Sequence, residues 1–107
     1  MNTLSSHVLD TTLGKPAHNM VLTLTTPNGE SVTAVTNDDG RCNEWGDIQF
    51  SEGIYSLRFA CKEYLLAHHG ASFYPYVDIA FEITGDDAHY HVPLLVTPYG
   101  FSTYRGS

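Results

Sequence analysis

Apolar residues in this chain recur at every second position in short runs, and Gly, Pro, Asn and Asp break the runs. That is the pattern of strands with one buried face. Eight runs qualify: Leu4 to Leu9, Met20 to Thr26, Ser31 to Thr36, Ile48 to Phe50, Ile54 to Ala60, Val77 to Thr84, His89 to Val96 and Gly100 to Arg105. Pro27-Asn28-Gly29-Glu30 is a hairpin signal, because Asn-Gly supplies the positive φ of a tight turn. Gly14-Lys15-Pro16-Ala17 and Asn37-Asp38-Asp39-Gly40 read as loops. Between the fifth and sixth runs, Lys62 to His69 holds good helix formers without Pro or Gly, and Gly70 stands where a helix commonly stops. The expectation is an all-β, eight-stranded antiparallel sandwich with one short helix.

With 107 residues, the chain makes one domain, 1–107, and not two. A domain of this size buries about two-thirds of the surface its unfolded chain exposes, so an internal ligand cavity would hollow out its core. A pocket is therefore expected where subunits meet. The formal charge of -7, with only five scattered Lys and Arg, removes the electrostatic footprint of a nucleic-acid binder and disfavours anionic membranes. No stretch approaches the ~20 apolar residues of a membrane helix, and no secretory leader pattern opens the chain, so a cytoplasmic location is expected. Cys42 and Cys61 fit neither a disulfide framework nor a Cys-x-x-Cys motif and read as reduced and structural.

Candidate chemistry starts from the histidines. In the run His89 to Val96, side chains alternate, so His89, His91, Pro93 and Leu95 share one face while Tyr90, Val92, Leu94 and Val96 share the other. The apolar face must be core, which turns His91 outward. His7 shares an outward face with Ser5 and Leu9 by the same reasoning. A lone strand histidine is more often a solvent-facing or hydrogen-bonded residue than a catalyst. His-x-His also resembles part of a metal site, but no third ligand stands at a recognisable spacing, and no metal or cofactor is expected. Other chemistries fit less well. No Gly-x-Ser-x-Gly elbow is present, Asp38-Asp39-Gly40 lacks the remaining ligands of a calcium loop, and Cys42 faces away from its neighbour Arg41. His68-His69 is explained by helix termination, where an imidazolium suits the dipole.

Taken together, Ser6-His7-Val8-Leu9-Asp10, the arginine of Asp39-Gly40-Arg41-Cys42, His89-Tyr90-His91-Val92-Pro93-Leu94-Leu95 and the terminal Tyr104-Arg105-Gly106-Ser107 resemble the motifs of the 5-hydroxyisourate hydrolases, enzymatic relatives of transthyretin. The resemblance runs from end to end. It implies a transthyretin-like sandwich of two four-stranded sheets, a homotetramer built as a dimer of dimers, and a site in the channel between sandwiches. It also implies that His7, Arg41, His91 and the run Tyr104, Arg105, Gly106, Ser107 line that site, and that the substrate is the small molecule 5-hydroxyisourate. In that reading His7 and His91 activate water, Arg41 grips and polarises the substrate, and Ser107, through hydroxyl or carboxylate, orients water or base. Either histidine could take the proton. Tyr104 and Arg105 admit a structural role, pinning the last strand at a subunit contact, as readily as a catalytic one. A transthyretin-type carrier of small aromatic molecules is the competing function, and a purely structural sandwich is the third.

Overall fold

The computed structural model describes residues 1–85 and 87–107. Nine strands and one helix follow in the order β1 (Thr3–Asp10), β2 (Lys15–Pro16), β3 (Val21–Thr25), β4 (Ser31–Val35), β5 (Arg41–Cys42), β6 (Gly53–Phe59), α1 (Cys61–His69), β7 (Val77–Ile83), β8 (His89–Thr97) and β9 (Gly100–Thr103). One sheet has the order β2-β1-β8-β9, with β5 also paired to β1, and the other has the order β4-β3-β6-β7. The two sheets pack their alternate residues together. Leu22, Leu24, Leu57, Phe59, Val8 and Leu94 are wholly buried between them, each such side chain contributing about 1.5–3 kcal/mol relative to exposure.

Seven of the eight expected strands are present, with ends shifted by one or two residues. The exception is Ile48 to Phe50, which forms no strand. Ile48 and Phe50 do pack against the core, and the Phe50 carbonyl accepts from Asn2 Nδ2 at 2.9 Å. Alternation there reports which side chains turn inward; it does not supply a free strand edge. Conversely, Lys15-Pro16, expected as loop, pairs with the end of β1 through Leu9 and Asp10. Proline is tolerated there because the strand lies at the sheet edge. Among the described residues every ladder is antiparallel except β1 with β8, which runs parallel from Thr3↔His89 to Asp10↔Val96. That single parallel pair fixes the geometry of the site. The β3–β4 hairpin turns through Thr26 to Gly29, where the Gly29 N–H donates to the Thr26 carbonyl at 3.0 Å. Helix α1 buries Cys61, Tyr64 and Leu65 and ends at Gly70 in the left-handed conformation. Cys42 and Cys61 are both free and buried, and burial pushes both thiols above their ordinary pKa.

Candidate active site

On β1 the burial alternates residue by residue, so Leu4, Ser6, Val8 and Asp10 are buried while Ser5, His7 and Leu9 face outward, half-buried. The same alternation on β8 turns His89, His91 and Leu95 outward and buries Tyr90, Val92 and Leu94. The register then does the assembling. His7 lies opposite Pro93 on β8 and opposite Arg41 on β5, and Ser5 lies opposite His91. Two imidazoles and a guanidinium from three distant segments therefore share one outward patch of a single sheet.

Arg41 reaches this patch because the preceding loop presses directly onto β1. The Val8 N–H donates to the Gly40 carbonyl at 2.8 Å, and a Cβ on Gly40 would sit 2.4 Å from the Val8 carbonyl oxygen. No other residue permits that approach, and the φ of +73° at Gly40 reinforces the requirement. Asn37 Oδ1 shapes the same loop by accepting the N–H groups of Asp39 at 2.9 Å and Arg41 at 3.0 Å.

Both histidines are anchored through one nitrogen. His7 Nε2 lies 2.8 Å from the Asp39 carbonyl oxygen; because a carbonyl only accepts, Nε2 carries the proton and Nδ1 is the basic atom of neutral His7. His91 is held through Nδ1, 2.7 Å from Ser5 Oγ, which leaves its Nε2 toward the open side. Burial lowers the His91 pKa below its ordinary 6.5, and the nearby charges of Arg41, His7 and His89 lower it further. A neutral, proton-accepting His91 is the result.

The tail closes one side of the patch. The β8–β9 register, Leu94↔Thr103, carries through to a bridge between His91 and Gly106 three residues further on each strand. Pro93 interrupts the ladder between these points because it has no N–H. Thr103 Oγ1 instead donates to the Pro93 carbonyl at 2.7 Å, and the Gly106 N–H donates to the His91 carbonyl at 2.9 Å. A Cβ on Gly106 would stand 2.3 Å from His91 Cδ2. Gly106→Ala should therefore displace either the ring or the tail and lower kcat about tenfold with the fold intact, as steady-state kinetics and circular dichroism would show.

The remaining tail residues are placed differently from one another. Arg105 lies with its guanidinium carbon 4.8 Å from the centre of the ring of Tyr90, the neighbour of His91 along β8, and lines one groove with His91. Tyr104 and Ser107 are exposed. With Tyr90, His91, Thr103 and the β7 residues Ile79 to Glu82, Tyr104 and Arg105 line a groove of about 330 Å³. A larger cavity of about 480 Å³ lies near the β3–β4 turn, lined by Trp45, Asp47 and Tyr55 among others, and contains none of the expected site residues.

Sequence reasoning missed three neighbours of the cluster. His89 Nε2 lies 2.9 Å from Ser5 Oγ, and His89 Nδ1 lies 2.6 Å from Thr3 Oγ1. The signal was the shared face of His89 and His91, but it pointed to a metal pair; in the fold Ser5 bridges the two rings, whose centres are 6.5 Å apart.

The architecture and this outward His-Arg-His patch define a transthyretin-like sandwich carrying groups suited to acid–base chemistry. Residues 4–106 match the profile of the HIUase/Transthyretin family, and the chain belongs to that family. It is 40% identical to the mouse protein named 5-hydroxyisourate hydrolase, in a match covering 97% of this chain and 94% of that one. Among solved structures, the 5-hydroxyisourate hydrolase of Klebsiella pneumoniae superposes with a TM-score of 0.86 at 36% identity, covering 100% of this chain and 94% of that one. Sea bream transthyretin in complex with thyroxine superposes almost as well, with a TM-score of 0.85 at 25% identity over 97% of this chain and 94% of that one. Backbone likeness alone thus does not separate enzyme from carrier.

Proposed function

We propose that this protein hydrolyses 5-hydroxyisourate to 2-oxo-4-hydroxy-4-carboxy-5-ureidoimidazoline, a step of urate catabolism. The observation that carries this reading is the outward convergence of His7, Arg41 and His91, with the two imidazoles fixed by a carbonyl and a hydroxyl and His91 bordered by Gly106. His91 Nε2 takes a proton from water, and the resulting hydroxide adds to the ring carbonyl carbon. Arg41 neutralises the oxyanion and holds the planar substrate through its guanidinium fork. Collapse breaks the C–N bond, and the departing nitrogen takes the proton that His91 Nε2 received from water. His7, with Nε2–H bound to Asp39, presents Nδ1 to the substrate or the water. Ser107, one residue beyond the Gly106–His91 bridge, orients water at the rim, while Tyr104 and Arg105 position the tail through the groove beside Tyr90.

The single chain leaves this patch open to solvent on the side of Arg41 and Ser107. We further propose that copies of the chain close it, as a homotetramer, using the exposed apolar residues Tyr99, Phe101 and Tyr104 near β8 and β9. Light scattering coupled to size exclusion gives the assembly directly.

The deciding assay generates 5-hydroxyisourate in situ from urate with urate oxidase and follows its ultraviolet absorbance. Faster decay in the presence of the protein is the expected result. No acceleration by folded protein, together with tight binding of a hydrophobic ligand, would identify a carrier instead. The pH profile adds a second measure. Since His91 is held below 6.5, its basic form persists into mildly acid solution, and the acid limb of kcat/KM should have its midpoint below that of an ordinary histidine. Activity falls as pH drops through that midpoint.

A further inference from the structure

Along the outward face of β1 and β8, hydroxyls and imidazoles alternate in one unbroken line. His91 Nδ1 lies 2.7 Å from Ser5 Oγ, Ser5 Oγ lies 2.9 Å from His89 Nε2, and His89 Nδ1 lies 2.6 Å from Thr3 Oγ1. The parallel register creates this line by setting Thr3 opposite His89 and Ser5 opposite His91. We propose that Thr3, His89 and Ser5 form a proton relay that fixes His91 as its Nδ1–H tautomer and conducts the proton released by hydrolysis from His91 to solvent.

Donor counting supports the polarity. A neutral imidazole has one N–H, and a serine hydroxyl has one O–H with lone pairs to spare. If His91 Nδ1–H donates to Ser5, the Ser5 O–H is free to donate to His89 Nε2, and His89 Nδ1–H then donates to Thr3. Every contact is satisfied, and His91 Nε2 keeps its lone pair for water. The reverse polarity, starting from the Thr3 O–H, satisfies the same contacts and leaves a proton on His91 Nε2. One shift of protons along the line therefore converts the base form of His91 into its acid form.

This inference rests on the hydrolase reading, which also supplies the need for it. Opening a cyclic amide with water forms a carboxylic acid and an N–H; at neutral pH the acid ionises, so each turnover releases one proton. After His91 Nε2 accepts the proton of that acid, Nδ1 passes its own to Ser5 and the Ser5 hydroxyl proton moves to His89 Nε2. His89 and Thr3 are exposed, so the proton leaves there to water. The charges of Arg41, His7 and His89 around His91 disfavour retaining it. Ser5 and His89 act through His91 and are positioning and relay residues.

The test separates tautomer from turnover. In 15N-histidine-labelled protein without substrate, proton–nitrogen correlation spectra should show His91 protonated at Nδ1; Ser5→Ala should abolish that preference and Ser5→Thr should restore it. His89→Gln keeps an acceptor for the Ser5 hydroxyl but carries no transferable ring proton. In dilute buffer it should lower kcat about tenfold at unchanged KM, with recovery on adding imidazole buffer. A wild-type His91 protonated at Nε2, a tautomer insensitive to Ser5→Ala, or a His89→Gln enzyme with full kcat in dilute buffer would each overturn the relay. Should the wild-type protein leave 5-hydroxyisourate decay unchanged while the spectra follow expectation, the hydrolase reading fails and the hydrogen-bond polarity stands.

Discussion

His91→Asn should lower kcat by a factor of ~100 or more, and His7→Asn by a comparable factor, as expected when a general base or its partner is removed. Asparagine suits the comparison because it keeps a planar polar group near Nδ1 and removes the ring's far side. At position 91 the amide can still meet Ser5, whose contact with the native ring is 2.7 Å, so orientation and folding survive while the atom facing the substrate is lost. At position 7 the amide stands near Nδ1 but is not basic, and the far side that meets the Asp39 carbonyl at 2.8 Å is lost with the ring. Both side chains are only half-buried on the outer face, which keeps the effect on stability small. The assay should thus report a fall in kcat with KM little changed. Turnover close to wild type in either variant would remove that residue from the mechanism. Because the two imidazoles share one proton-transfer unit, the double variant should be little worse than the more damaged single variant.

What the sequence revealed and what it concealed divide along a physical line. Alternation in His89 to Val96 correctly turned His91 outward and buried Tyr90 and Leu94, because strand pleating is a local property of the backbone. The helix and its stop at Gly70 were legible for the same reason. Pairing was not. A strand alternates identically beside a parallel or an antiparallel neighbour, so the parallel β1–β8 ladder, and with it the Ser5–His91 contact, left no trace in the order of residues. Ile48 and Phe50 alternate as strand residues do and pack against the core, yet the segment joins no ladder of either sheet. The tail was recognisable only by resemblance. Its order has no periodic signal, and the need for glycine at 106 exists only because His91 lies beneath it.

The largest effect on stability is expected far from the outward patch, at Asp10→Ala. Asp10 ends β1 with its side chain wholly buried, and one oxygen accepts from Tyr64 Oη at 2.8 Å and His69 Nε2 at 2.7 Å. The other accepts the N–H groups of Thr12 and Leu13 at 3.1 and 3.2 Å. His69 therefore does more than end a helix: it clamps α1 to the strand that carries His7. Removing the carboxylate would strand these buried donors, a loss of about 3–5 kcal/mol. Against a total of about 5–15 kcal/mol for a domain of this kind, that is a large fraction. Urea denaturation at fixed protein concentration should show it, and Tm should fall by roughly 15 °C or more. The pH dependence gives the sign. Burial alone would raise the Asp10 pKa, but the bonds from His69, Tyr64 and the Leu13 N–H outweigh it and hold the carboxyl below its ordinary 3.8. A group whose pKa is lower folded than unfolded stabilises fully above its unfolded value and loses that contribution as pH falls through the folded one. The gap between wild type and Asp10→Ala should accordingly be wide at neutral pH and narrow below about pH 4. A variant as stable as wild type at neutral pH would show that the Asp10–His69 clamp contributes nothing to holding α1 in place.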